Sequence, residues 1–113
     1  MIKIYAMGVL KLNFSPNPYK YIEDSRLWAL YTNFEKAEAA ILNNSGDIFE
    51  VFYNVACIEE HYILDSDDST LEYHLPRQWW YQAKYSGNRN PTVESMFPLI
   101  PEGMLNTSNI WIG

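Results

Sequence analysis

Leu27-Trp28-Ala29-Leu30-Tyr31-Thr32-Asn33-Phe34-Glu35-Lys36-Ala37-Glu38-Ala39-Ala40-Ile41 is the stretch whose reading decides the fold. Its first five residues are apolar, aromatic-rich and free of Gly and Pro, which predicts a short, largely buried strand over 27–31. Thr32-Asn33-Phe34-Glu35 then has the T-x-x-E spacing of a capping box, so a helix is expected to start there and run over about 33–43. Phe34, Ala37, Ala40 and Ile41 share one helical face, a narrow stripe of mostly small residues that permits close approach to a sheet. The turn-forming cluster Asn43-Asn44-Ser45-Gly46 ends the helix, and 48–63 reads as a long strand or a bent pair of strands. The core unit is therefore strand, helix, strand.

Upstream, Ile2, Ile4, Ala6, Gly8, Leu10, Leu12 and Phe14 alternate with Lys3, Tyr5, Met7, Lys11 and Asn13, the pattern of a strand buried on one side. Gly8 in its middle marks a bulge or a close backbone approach. Ser15-Pro16-Asn17-Pro18 ends this strand. Downstream, Asp65-Ser66-Asp67-Asp68-Ser69 has the spacing of a calcium loop. Thr70 stands where the sharp turn needs Gly, and Pro76 where a bidentate Glu is required, so calcium is not expected.

Arg77, Trp79, Tyr81, Ala83 and Tyr85 alternate with Gln78, Trp80, Gln82 and Lys84, which predicts a further strand with one aromatic face that carries an arginine. Asn90 is a good helix cap, Pro91 suits the first helical position and Glu94 the first turn. A short second helix is thus expected over about 91–97, ending at Phe97 before Pro98. The fold expected is α+β: one domain over 1–113, a mostly antiparallel sheet, one main helix packed on it and a short second one.

Eight basic against fourteen acidic residues give a net charge of −6, which opposes binding to DNA or RNA polymers. No stretch approaches the roughly 18 apolar residues of a membrane-spanning helix. Residues 1–14 alternate and carry Lys3 and Lys11, which reads as a strand and not as a leader. The single Cys57 has no partner for an internal disulfide and fits a reducing compartment.

Catalytic constellations are not evident. His61 and His74 are isolated, no metal-ligand spacing or cofactor motif is present, and Glu59 and Glu60 are expected on opposite faces of a strand, so they cannot act on one bond. The better candidate is a binding site. Asn88-Arg89-Asn90 at the start of the expected second helix offers backbone N–H groups to an anion, and Arg77, Trp79 and Tyr81 lie on the neighbouring strand, with Phe97 at the far end of that helix. Arg26, just before residues 27–31, is a third candidate anion partner. An aromatic ring can stack a purine, so the group has the composition of a nucleotide-sized site. The same aromatics, 16% of the chain, would equally serve a protein interface.

Together the opening Met1-Ile2-Lys3-Ile4-Tyr5, the stretch Leu27-Trp28-Ala29-Leu30-Tyr31-Thr32-Asn33, the segment from Tyr53-Asn54 to Ile58-Glu59-Glu60, and Trp79-Trp80-Tyr81 resemble the phage Thoeris anti-defence sponges of the first type. The resemblance implies a non-enzymatic protein in the cytoplasm of an infected bacterial host. Such a protein captures a cyclic ADP-ribose isomer, glyco-cyclic ADP-ribose, and so starves the immune effector. It also implies a homo-oligomer, dimer or hexamer, with sites between protomers, and an association with cyclic oligonucleotides. The alternative is a small protein-binding inhibitor or oligomeric structural module that uses the aromatic surface.

Overall fold

The computed structural model describes residues 2–13, 21–63, 77–87 and 90–95. In chain order these form β1 (Ile2–Asn13), β2 (Tyr21–Tyr31), α1 (Phe34–Leu42), β3 (Val55–Ile63), β4 (Gln78–Lys84) and β5 (Thr92–Ser95). The strands make one sheet in the order β2-β1-β3-β4-β5, and every neighbouring pair is antiparallel. The fold is thus α+β, with a five-stranded antiparallel sheet and one helix. Because β2 and β3 both run against β1, they are parallel to each other, and the β2-α1-β3 unit straddles the first strand.

Helix α1 forms where the sequence places it, but its cap lies one residue later than the capping box implies. The cap is Asn33 and not Thr32: Asn33 holds extended backbone, and its Oδ1 accepts the Lys36 N–H at 2.9 Å. Asn is as good a cap as Ser or Asp, so the local chemistry allows either start. Ala37 and Ile41 are fully buried, and Phe34 and Ala40 pack at the edge of the same core, as the narrow stripe requires. Asn43 closes the helix by donating its backbone N–H to the Ala39 carbonyl at 3.0 Å and its side-chain amide to the same oxygen at 2.9 Å.

Four expectations are corrected. The 27–31 segment is not largely buried: it ends a longer strand at the edge of the sheet, and Leu27 and Leu30 are 38% and 59% exposed. Its apolar, aromatic-rich composition suggested burial, yet it is Trp28 and Tyr31 that pack against the core. The strand expected from Ile48 begins only at Val55, because residues 43–54 form successive turns with positive φ at Asn44, Gly46, Asp47, Glu50 and Val51. Ile48 and Phe49 are fully buried in these turns, so their hydrophobicity seats a connection and not a strand.

The first strand is buried on both faces. Met7, expected outside, and Val9 lie fully buried beneath the helix with Ala56, Ile58, Tyr81 and Ala83, while Ala6, Leu10, Leu12, Val55, Cys57 and Trp80 are buried on the other face. The irregularity signalled by Gly8 is real, but the extra residue sits on the partner: Met7 pairs with Ala29 and Gly8 with Leu27, leaving Trp28 in between.

The short helix expected over about 91–97 does not form at 92–95. Residues 92–95 are strand β5, paired with β4 through Tyr81↔Ser95, Gln82↔Glu94, Ala83↔Val93 and Lys84↔Thr92. Asn90 and Pro91 fit a helix start, but a helix this short gains little by itself, whereas pairing satisfies the open edge of β4 and suits the β-branched Thr92 and Val93. Phe97, the expected end of that helix, lies outside the described residues, as do residues 14–20, 64–76, 88–89 and 96–113.

Several tyrosines lock the helix-bearing face. Tyr81 donates its hydroxyl to Glu38 of α1, and Tyr53 donates to Asp24 of β2 at 3.2 Å. Burial first, and the carboxylate beside each, push both phenols above their usual range. A folded-state value raised above the unfolded one means this stabilisation is complete below about pH 10 and is lost as pH rises through the folded values. Chemical-denaturant melts are therefore expected to hold steady to about pH 9 and to weaken above pH 10, with part of the phenolate absorbance appearing only on unfolding. Unchanged stability at pH 11 would contradict this assignment.

Candidate functional site

The antiparallel register builds rows across the sheet, and those rows decide which of the sequence candidates meet. On the helix-bearing face, Tyr31, Tyr5 and Glu60 stand side by side on β2, β1 and β3, and the Glu60 backbone N–H donates to the Arg77 carbonyl at 2.9 Å. Lys3 and Tyr62 are paired in the next row outward on β1 and β3. Ile58 and Trp79 are paired in the next row inward, toward the helix. Phe34, the first residue of α1, closes the group. Its ring centroid lies 4.6 Å from Trp79 and 5.8 Å from Tyr5, and those two rings are 6.4 Å apart. The result is a packed aromatic platform at one end of the sheet.

Charge is distributed unevenly over this platform. The Arg77 guanidinium lies 5.0 Å from the centre of the Trp79 ring, and the Lys3 ammonium 5.7 Å from that of Tyr62. Neither cation has a carboxylate within ion-pairing distance among the described residues. Between them, the nearly buried Glu60 accepts the Tyr5 hydroxyl at 3.3 Å and the Tyr62 hydroxyl at 3.2 Å, one on each oxygen. Desolvation, followed by the Glu60 charge and hydrogen bond, raises the Tyr5 phenol above its ordinary range, so it remains a protonated donor.

The sequence candidates do not all come together. Arg77 and Trp79 share the platform. Tyr81 is buried beneath α1 and bonded to Glu38, so its role is to seat the helix. Arg26 lies on β2, with β1 and β3 between it and β4. It stacks on Trp28 at 5.3 Å and pairs with Glu50 at 2.8 Å, which leaves it already neutralised. Asn90 is exposed just ahead of β5, beyond the hairpin that follows β4. Arg77 precedes the opposite end of β4, so the length of that strand, on the order of 25 Å, separates the two. Asn88, Arg89 and Phe97 lie outside the described residues.

Sequence reasoning missed Lys3, Tyr5, Phe34, Glu60 and Tyr62. The i, i+2 spacing of Lys3 with Tyr5 and of Glu60 with Tyr62 was visible, but the pairing of β1 with β3 that unites them joins segments far apart in the chain. The two adjacent glutamates do face opposite ways. Glu59, wholly buried on the other face, accepts the Gln78 amide at 2.6 Å and lies 3.4 Å from His61 Nε2, while Gln78 Oε1 accepts the Trp80 indole N–H at 3.2 Å. Cys57 is buried on that face as well, its thiol pushed well up by desolvation and then by the Glu59 charge, which makes it a poor nucleophile.

Among the described residues no group of three or more His, Cys, Asp or Glu side chains is placed to hold a metal ion, and no helix is long and apolar enough to cross a membrane. Comparison with protein-family models, with curated proteins and with solved structures gave no match.

Proposed function

We propose that this chain is a non-catalytic binder of a small anionic nucleotide, and that it sequesters a cyclic ADP-ribose isomer as the resemblance to the Thoeris anti-defence sponges implies. The observation that carries this reading is the pair of cations without acidic partners among the described residues, Arg77 over Trp79 and Lys3 over Tyr62, on an aromatic platform. A flat base stacks on such rings, and a guanidinium held against an indole presents its remaining donors to phosphate. The site would act by holding its ligand. Its carboxylate Glu60 already accepts two phenol protons, and His61 stands with Glu59 on the opposite face, away from it. In this reading the protein works in the cytoplasm of an infected bacterium, as a homo-oligomer.

The test is recovery of the ligand. Incubation with glyco-cyclic ADP-ribose, removal of unbound material, heat denaturation and chromatography are expected to return the intact molecule in proportion to protein. A hydrolysed product would contradict sequestration. A second reading, a protein-binding module, is favoured by the exposed Leu27 and Leu30 on edge strand β2. That reading expects no thermal shift with any ADP-ribose isomer, and a clear shift rules against it.

A further inference from the structure

The hydrogen-bonding capacity of the platform is polarised in a way that specifies more than an anion. An ionised carboxylate only accepts, and each phenol has one proton to give. Tyr5 and Tyr62 both direct that proton to Glu60, so their oxygens and the remaining lone pairs of Glu60 can only accept. The strip Tyr5, Glu60, Tyr62 is therefore a line of acceptors. Lys3 and Arg77, on either side of it, can only donate. A ligand that matches this order carries hydrogen-bond donors in its middle and anionic groups on its flanks.

We infer that the Tyr5–Glu60–Tyr62 strip reads the hydroxyl groups of a sugar phosphate whose phosphates rest on Lys3 and Arg77. A bare pyrophosphate offers no donor to the strip and leaves its acceptors unpaired, which selects against it. A sugar hydroxyl pair satisfies the strip and gains a charge-assisted bond to Glu60. The base is then free to lie against Trp79 and Phe34, so one ligand uses the platform as a whole. This inference rests on the nucleotide-binding reading above and adds which part of the ligand is recognised by which side chains.

The experiment is titration calorimetry of the full chain with glyco-cyclic ADP-ribose and with two analogues, each lacking the free hydroxyls of one ribose. The parent compound is expected to bind about tenfold or more tightly than at least one analogue, the equivalent of one hydrogen bond to a charged group. In Glu60→Gln, which keeps the size but places an N–H where only acceptors stood, that ratio is expected to fall to about threefold or less. Tyr62→Phe, at a half-exposed position, is expected to reduce the ratio without disturbing the fold, and its unfolding midpoint serves as the control. Tight binding of the parent with equal binding of both analogues would overturn the hydroxyl reading and leave nucleotide binding standing. A full preference retained in both variants would overturn the assignment to this strip. No binding of parent or analogues would overturn both proposals.

Discussion

Phe49→Ala is expected to lower the free energy of unfolding by about 3–5 kcal/mol, the usual cost of deleting a fully buried phenylalanine. Phe49 lies in the turns between α1 and β3, where a large destabilisation would not be sought from sequence. Its side chain is nevertheless fully buried and joins the core formed by Met7, Val9, Ile41, Ala56 and Ile58. Its backbone is held equally firmly. The Phe49 N–H donates to Asn44 Oδ1 at 3.1 Å, and its carbonyl accepts the N–H groups of Phe52 at 2.9 Å and Tyr53 at 2.8 Å. These bonds fix the shape of the turns, so the Phe49 backbone cannot collapse into the cavity by itself without breaking them, which favours the upper part of the range. A denaturant midpoint measured with an unchanged slope checks it, and a loss under about 1 kcal/mol would show that the segment is packed differently.

The second large effect is expected at Glu59. Gln78→Leu removes the 2.6 Å hydrogen bond to a wholly buried carboxylate and also takes the acceptor from the Trp80 indole. A charge left with His61 as its one remaining partner among the described residues is expensive to keep out of water, and a loss of about 3 kcal/mol is expected. Pairing that change with Glu59→Leu is expected to recover much of the loss, because replacing both members of a buried polar pair can be nearly neutral while breaking it is not. A double-mutant cycle decides the matter. Strict additivity of the two losses would mean that Glu59 and Gln78 do not depend on each other.

Local chemistry made α1 legible in the sequence, and long-range pairing accounts for most of what was not. The alternation of Arg77, Trp79, Tyr81, Ala83 and Tyr85 gave β4 as a strand without deciding whether Trp79 or Trp80 faces the core, and the spacing of Phe34, Ala37, Ala40 and Ile41 gave the buried stripe of α1. Both signals are carried by residues close together in the chain. Residues 92–95 show the limit of such signals: their cap, Pro and acidic residue all fit a helix, and the open edge of β4 decides for a strand. Edge position also explains the exposed Leu27 and Leu30, since a strand's place in the sheet is fixed by its neighbours and not by its own composition.

The same limit applies to the site. Arg77 and Trp79 could be grouped from the sequence because they are neighbours along one strand. Lys3, Tyr5, Glu60 and Tyr62 join them only through the β1–β3 register, which places Tyr5 against Glu60 and Lys3 against Tyr62. Arg26 was a reasonable candidate by type, and the structure sets it apart by its 2.8 Å bond to Glu50. Arg26-Leu27-Trp28 and Arg77-Gln78-Trp79 share the same spacing and the same stacking, and they differ in that Arg26 has an acidic partner and Arg77 has none among the described residues.

That contrast provides the most direct measurement. Titration calorimetry with glyco-cyclic ADP-ribose on Arg77→Ala and Arg26→Ala, beside the unaltered chain, compares two stacked arginines of which only one lies on the platform. Arg77→Ala is expected to weaken binding by about ten- to a hundredfold, one charge-assisted contact of about 1.5–3 kcal/mol. Arg26→Ala is expected to stay within about twofold of the parent, since an exposed ion pair contributes little. Equal affinities in all three proteins, or a loss confined to Arg26→Ala, would contradict a nucleotide site on the Trp79 platform.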